Sequence, residues 1–260
     1  MAKSGTKQSS AFREAERHLA GLTARVEKRA LLWLAPRVPA RVTSDHLTLL
    51  GLVSMAACGT LYAASGRHPW LLLLVNLGLA LNWLGDSLDG TLARHRGAER
   101  PRFGFYVDHL VDAFGALLVL SGLGLSGLMS PLVAAGLLVA YFLLAIETYL
   151  ATYAIGRFKI SWGPLGGTEL RILLAAVNVF VLVSPRVSVG DGRWLVFDVI
   201  GAAAGAALVV LAVAAGIRGT RALARAEGWA PALGADQSHA GSVRRLTAAR
   251  DPARVIALDP

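Results

Sequence analysis

GDSLDGTLARHRGAERPRFGFYVDHLVD, residues 85–112, places Asp86, Asp89, Asp108 and Asp112 within stretches that are otherwise apolar. A carboxylate at the centre of a bilayer costs about 2.5–3.5 kcal/mol, so four uncompensated ones cost on the order of 10 kcal/mol. Asp86 and Asp89 are three residues apart and Asp108 and Asp112 are four apart, so each pair shares one face of a helix. Gly90 and Ala93 continue the first stripe, Gly104 lies one turn before Asp108, and Gly115 lies just beyond Asp112. Small residues beside the acids leave room for a ligand and allow close helix packing. The short basic loop between the two halves predicts antiparallel, neighbouring helices whose four carboxylates converge near one membrane face.

The rest of the chain supports a membrane setting. Of 260 residues, 55% are hydrophobic and only 17% are charged, and the mean hydropathy is +0.54. Apolar runs of bilayer-crossing length recur, which predicts an all-α membrane protein. Six spans are expected, at about 46–65, 69–94, 105–127, 131–155, 167–184 and 195–218, with Pro69, Pro131 and Pro185 at boundaries. Basic residues cluster in the N-terminal segment, in the 94–104 loop, in the 156–165 loop and after Arg218, while the alternate loops carry few. Six spans put all the basic segments on one side, which the positive-inside rule makes cytoplasmic, with both termini inside. The net charge of +9 is accounted for by topology and anionic lipid rather than by nucleic acid. Cys58, the single cysteine, permits no internal disulfide and reads as a buried thiol.

Ahead of the first span, Phe12, Ala15, Leu19, Leu22, Val26, Ala30 and Trp33 recur at helical spacing among Arg13, Arg17, Arg25, Lys28 and Arg29. This predicts an amphipathic helix in the interface plane, ended by Pro36 and Pro39. No cleavable signal peptide is expected. Three segments result: a tail and interfacial helix over 1–45, a transmembrane domain over 46–227, and a cytoplasmic tail over 228–260 without apolar periodicity.

Converging carboxylates repel one another unless cations lie between them. Hard oxygen ligands suit Mg²⁺ or Mn²⁺, and two such ions form a clamp for displacement at phosphorus. Paired intramembrane acids also serve as cation pathways in transporters, and arginine pairing is a third way to compensate them. Residue geometry leaves these three open.

The order of fixed residues narrows the choice. Asp86, Asp89, Gly90, Ala93 and Arg94, then nine residues, then Gly104, Asp108 and Asp112, resemble the signature of the CDP-alcohol phosphotransferases, D-x2-D-G-x2-A-R followed by G-x3-D-x3-D. All eight fixed positions are present. The resemblance implies a membrane enzyme that moves a phosphate-linked group from a CDP-alcohol to an acceptor hydroxyl, releasing CMP. The donor it implies is CDP-diacylglycerol and the product a phospholipid or its phosphorylated precursor, made at a bacterial inner membrane. By the same resemblance Asp86, Asp89, Asp108 and Asp112 hold two divalent ions, Asp112 is the general base, and Gly90, Ala93 and Gly104 border the cytidine. Arg94 contacts the diphosphate or anchors the helix at the interface.

VTSDHLTLLG, residues 42–51, resembles the family's first-span start, T-P-N-x-L-T, with Ser44 in place of proline and Asp45 in place of asparagine. Thr48 is placed facing the nucleotide; Asp45 either borders the anionic ligand or caps the helix. For the acceptor, Arg157, Lys159 and Arg171 offer cations to a phosphorylated alcohol. Glu169, with Glu147 and nearby tyrosines, offers a seat for a cationic head group. GGTEL (166–170) resembles choline and ethanolamine phosphotransferases, which implies CDP-choline or CDP-ethanolamine with diacylglycerol as the alternative substrate pair. His109 points to another helix face from the two acids and reads as a residue behind the ligands or a packing residue rather than a ligand, and Trp33, Trp70, Trp83, Trp162 and Trp194 as an interfacial belt. Similar enzymes are often homodimers, and the small-residue run 201–216 suits helix packing within or between chains. The readings of another class are an ion-coupled transporter and a catalytically silent scaffold.

Overall fold

The computed structural model describes residues 23–155 and 166–228. Seven α-helices run in order through these residues: α1 (Ala24–Leu34), α2 (Ser44–Ser65), α3 (Leu71–His95), α4 (Pro101–Leu125), α5 (Pro131–Ile155), α6 (Gly167–Val183) and α7 (Val196–Ala226). A 3-10 turn (Ala35–Arg37) extends α1. Five helices, α2 to α5 and α7, are long and apolar enough to cross a membrane. α6 is apolar but has 17 residues, the lower limit for a span. The chain is thus an all-α membrane protein, and each expected span falls on a helix; the bounds agree to within a few residues except that α7 runs on to Ala226, past the expected end at 218.

The segment expected to be a plain loop before α7 instead forms a two-stranded hairpin, β1 (Arg186–Val189) and β2 (Gly192–Leu195). Val189 pairs with Gly192, so Gly190 and Asp191 alone make the turn, and Gly190 supplies its positive φ of 60°. Of the predicted interfacial helix, Phe12, Ala15, Leu19 and Leu22 lie outside the described residues. Over the described part, Leu31 is buried with Leu47, Leu88 and Leu92. Val26, Leu32 and Trp33 point outward, beside exposed Arg25, Lys28 and Arg29.

α2 is the central helix, packed along both α3 and α4. Glycines permit this. A Cβ on Gly85 would lie 2.8 Å from the Gly51 nitrogen, and a Cβ on Gly122 would collide with the Gly59 carbonyl. Cys58 is fully buried in this core. A polar chain pins α6 to the same core: the Tyr62 hydroxyl donates to Asn178 Oδ1 at 2.8 Å, Asn178 Nδ2 to Asn76 Oδ1 at 2.7 Å, and Asn76 Nδ2 to the Ala175 carbonyl at 3.2 Å. Near the same end of the bundle, where Phe197 packs edge-on against Tyr62, Asp198 on α7 accepts from the backbone N–H of Ser130 at 2.7 Å, just before α5.

One expectation is overturned here. α3 and α4 do not pack along each other, although only five residues join them; each lies against α2 instead. Gly97, two residues past the end of α3, has a φ of +61°. Gly97 N–H bonds the Arg94 carbonyl and Ala98 N–H the Ala93 carbonyl, the pairing that closes a helix on a left-handed glycine. The chain can therefore reverse sharply and still set α4 apart from α3.

Candidate active site

The two halves of the aspartate motif lie on helices that both pack on α2, and Asp108 of α4 comes within electrostatic range of Asp89 of α3. Asp89 is 8% exposed; Asp86 and Asp112 are exposed and Asp108 is half-buried. Asp89 lies within electrostatic range of both Asp108 and Asp86. The Thr48 hydroxyl of α2 donates to Asp89 Oδ2 at 2.8 Å. Thr48 thus serves the buried carboxylate, where the sequence had suggested only a nucleotide-facing residue. Asp86 Oδ2 accepts from a terminal guanidinium nitrogen of Arg171 at 2.7 Å. Arg171 Nε donates to Asn82 Oδ1 at 2.8 Å, and Asn82 is itself held by the Gly51 carbonyl at 3.1 Å.

α5 closes the far side. Tyr141 lies within electrostatic range of Asp112 and Asp86, and Tyr149 of Asp112. His109 packs edge-on against Tyr149, ring centroids 5.1 Å apart, as expected of a packing residue. The only signal for Tyr141 in the sequence is its spacing of two helical turns from Tyr149, which reads equally as ordinary packing.

The small motif residues border open space. A Cβ on Gly104 would meet nothing within 4 Å, and one on Gly90 only the Arg94 guanidinium, at 3.6 Å. Ala93 lines a cavity of about 430 Å³ with Thr43, Ser44, Asp45, Arg96 and Arg100. Arg96 fixes one wall by donating to the Val38 and Pro39 carbonyls, each at 3.0 Å. Asp45 ion-pairs with Arg100. It does not cap α2, as one expectation had it. Thr43 does, accepting from His46 N–H at 3.4 Å while His46 Nδ1 accepts from Thr43 N–H at 3.1 Å.

Of the expected acceptor residues, Arg157 and Lys159 lie outside the described residues. Glu169 faces the N-terminal segment: its Oε1 accepts from the Thr23 N–H at 2.9 Å and hydroxyl at 2.8 Å, and its Oε2 from Gly166 N–H at 2.9 Å. Arg171 alone of the four is seen at the aspartates.

The model of the CDP-alcohol phosphatidyltransferase family matches residues 41–218. The chain belongs to this family. No curated protein matches it. Membership makes it a multi-pass membrane transferase that takes its group from a CDP-alcohol to an alcohol acceptor, in a family that generally uses divalent metals. The donor chemistry suits such ions: the carboxylates are hard oxygen ligands, Asp86 and Asp108 lie within electrostatic range of Asp89, Arg171 holds Asp86, and Thr48 and the Gly90 N–H hold Asp89. Among the described residues, no three acidic, histidine or cysteine side chains are already drawn together as a ligand cluster.

Proposed function

We propose that this phosphatidyltransferase moves the phosphatidyl group of CDP-diacylglycerol to an alcohol or phosphorylated alcohol within the membrane, releasing CMP, in phospholipid biosynthesis. The observation that supports this reading is the approach of the two signature halves, Asp108 to Asp89, with open space beside Gly104 and only the Arg94 guanidinium beside Gly90.

Asp86, Asp89, Asp108 and Asp112 would hold two divalent ions, Mg²⁺ or Mn²⁺. When bound, such ions neutralise the diphosphate and stabilise the departing CMP oxygen. Thr48 keeps Asp89 turned to the cleft, and Arg171 does the same for Asp86. Gly90, Ala93 and Gly104 leave room for the cytidine, and Arg94 faces the diphosphate. Asp112, exposed at the cleft, takes the proton of the acceptor hydroxyl. The acceptor oxygen forms its bond to the phosphorus bearing diacylglycerol as the bond to the CMP oxygen breaks. Arg171, Arg157 and Lys159 are the cations proposed for a phosphorylated acceptor; Glu169 is retained only as a neighbour through α6. The 46–227 segment is the catalytic domain, flanked by the 1–45 and 228–260 segments.

The proposed orientation counts α6 as a span and keeps the basic segments inside, with the cleft and both termini cytoplasmic and a bacterial inner membrane as the proposed location. The small-residue run 201–216 offers a surface for a homodimer.

CMP release from purified protein tests the proposal, with CDP-diacylglycerol, Mg²⁺ or Mn²⁺, and glycerol 3-phosphate, inositol 1-phosphate, inositol, serine or choline offered singly. Metal-dependent release with one acceptor, lost in Asp112→Asn, is expected. Release only from CDP-choline or CDP-ethanolamine with diacylglycerol would replace this donor. Silence with every pair from folded protein would leave a transporter or a scaffold.

A further inference from the structure

Glu27 lies on α1, outside the 41–218 family match, yet its carboxylate reaches the signature helix. Its Oε1 accepts from the Ser87 hydroxyl at 2.9 Å and from Trp83 Nε1 at 3.2 Å, both on α3. Its Oε2 accepts from the Thr168 hydroxyl at 2.9 Å, in the first turn of α6. Ser87 is the residue after Asp86, and Thr168 stands three residues before Arg171, the partner of Asp86. A closed circuit results: Glu27 to Ser87, the adjoining Asp86 to Arg171, then one helical turn back to Thr168 and Glu27. A second carboxylate links the same two elements in the opposite sense, since Thr23 before α1 donates twice to Glu169 on α6.

We infer that Glu27 is a positioning residue of the active site: it holds the first turn of α6 at a set distance from α3, and so sets the Arg171–Asp86 pair. The physical case rests on number and direction. One carboxylate can receive three donors from two helices, whereas each of those donors would otherwise lack this partner. Besides Arg171, which reaches Asp86 and Asn82, the polar contacts of α6 with α3, through Asn76 and Asn178, lie farther along it. The orientation of Asp86 is worth controlling, since outer partners of a ligating carboxylate typically change metal affinity about 10–100-fold. The inference rests on the proposed metal-dependent chemistry only for its second readout.

The test uses full-length protein in nanodiscs, as wild type, Glu27→Ala and Glu27→Gln, each checked for folding by gel filtration and thermal melting. Glutamine keeps one acceptor oxygen for Ser87 and Trp83, and its amide can donate to the Thr168 hydroxyl. Hydrogen–deuterium exchange is read over the start of α6, and Mn²⁺ binding by electron paramagnetic resonance without substrate. In Glu27→Ala, exchange at the start of α6 should quicken and Mn²⁺ affinity should fall about tenfold or more, with Glu27→Gln restoring most of both. Unchanged exchange in folded Glu27→Ala overturns the inference, as does a glutamine variant no better than alanine. Wild type that binds no Mn²⁺ while Glu27→Ala still loosens α6 would sink the metal reading and leave the positioning role standing.

Discussion

The Thr48 hydroxyl donates to the Asp89 carboxylate at 2.8 Å, joining α2 to the most buried acid of the motif. The hydroxyl holds Asp89 Oδ2, while Oδ1 accepts from the backbone N–H of Gly90. Thr48→Val preserves shape and removes the donor. It should weaken Mn²⁺ binding and CMP release by about tenfold, while Thr48→Ser stays near wild type. Mn²⁺ titration of the three proteins decides the matter; equal affinities would mean that Asp89 is held by other means.

Asp112 is exposed at the cleft and is assigned the acceptor's proton. Asp112→Asn keeps the size of the side chain and cannot take that proton at neutral pH. The rate of CMP release should fall by about 10²–10⁴. Single-turnover kinetics at saturating substrate read this directly, and a change confined to the acceptor KM would refute the assignment.

Glycines of two kinds occur near the site. An added Cβ at Gly104 meets nothing within 4 Å, whereas one at Gly122 runs into the Gly59 backbone. Gly104→Leu should therefore melt close to wild type yet lose CDP binding, because its side chain enters the cleft. Gly122→Leu should prevent α2 and α4 from closing and yield little folded protein. Calorimetric CDP binding beside thermal melts separates the two, and a Gly104→Leu protein with undiminished CDP affinity would place the nucleotide elsewhere.

The chain from Tyr62 through Asn178 to Asn76 is fully buried at Tyr62 and Asn178 and half-buried at Asn76. Asn178→Leu strands the Tyr62 hydroxyl and the Asn76 side-chain oxygen, at a cost of about 1–3 kcal/mol. The melting temperature should drop by roughly 2–4 °C per kcal/mol. The double variant Tyr62→Phe with Asn178→Leu should recover part of the loss, since it removes one stranded group; a purely additive loss would show that the hydroxyl was not stabilised by Asn178.

Much of this protein was legible in its sequence. Hydropathy located the helices because each apolar run must satisfy its own backbone within the bilayer, whatever its neighbours do. The spacing of Asp86, Asp89, Asp108 and Asp112 fixed which faces carry charge, because helical periodicity is local. The family followed from the same short motif. What could not be read were the relations between helices. The short loop suggested that α3 and α4 were partners, but glycine contacts let α2 take up the packing with both. Nothing near Asp86 announced that Arg171, 85 residues on, would pair with it, or that Glu27 would bind the residue beside it. Asp45 found Arg100 rather than a capping role. Such pairings depend on where helices cross and how closely their backbones approach, which only the assembled bundle decides.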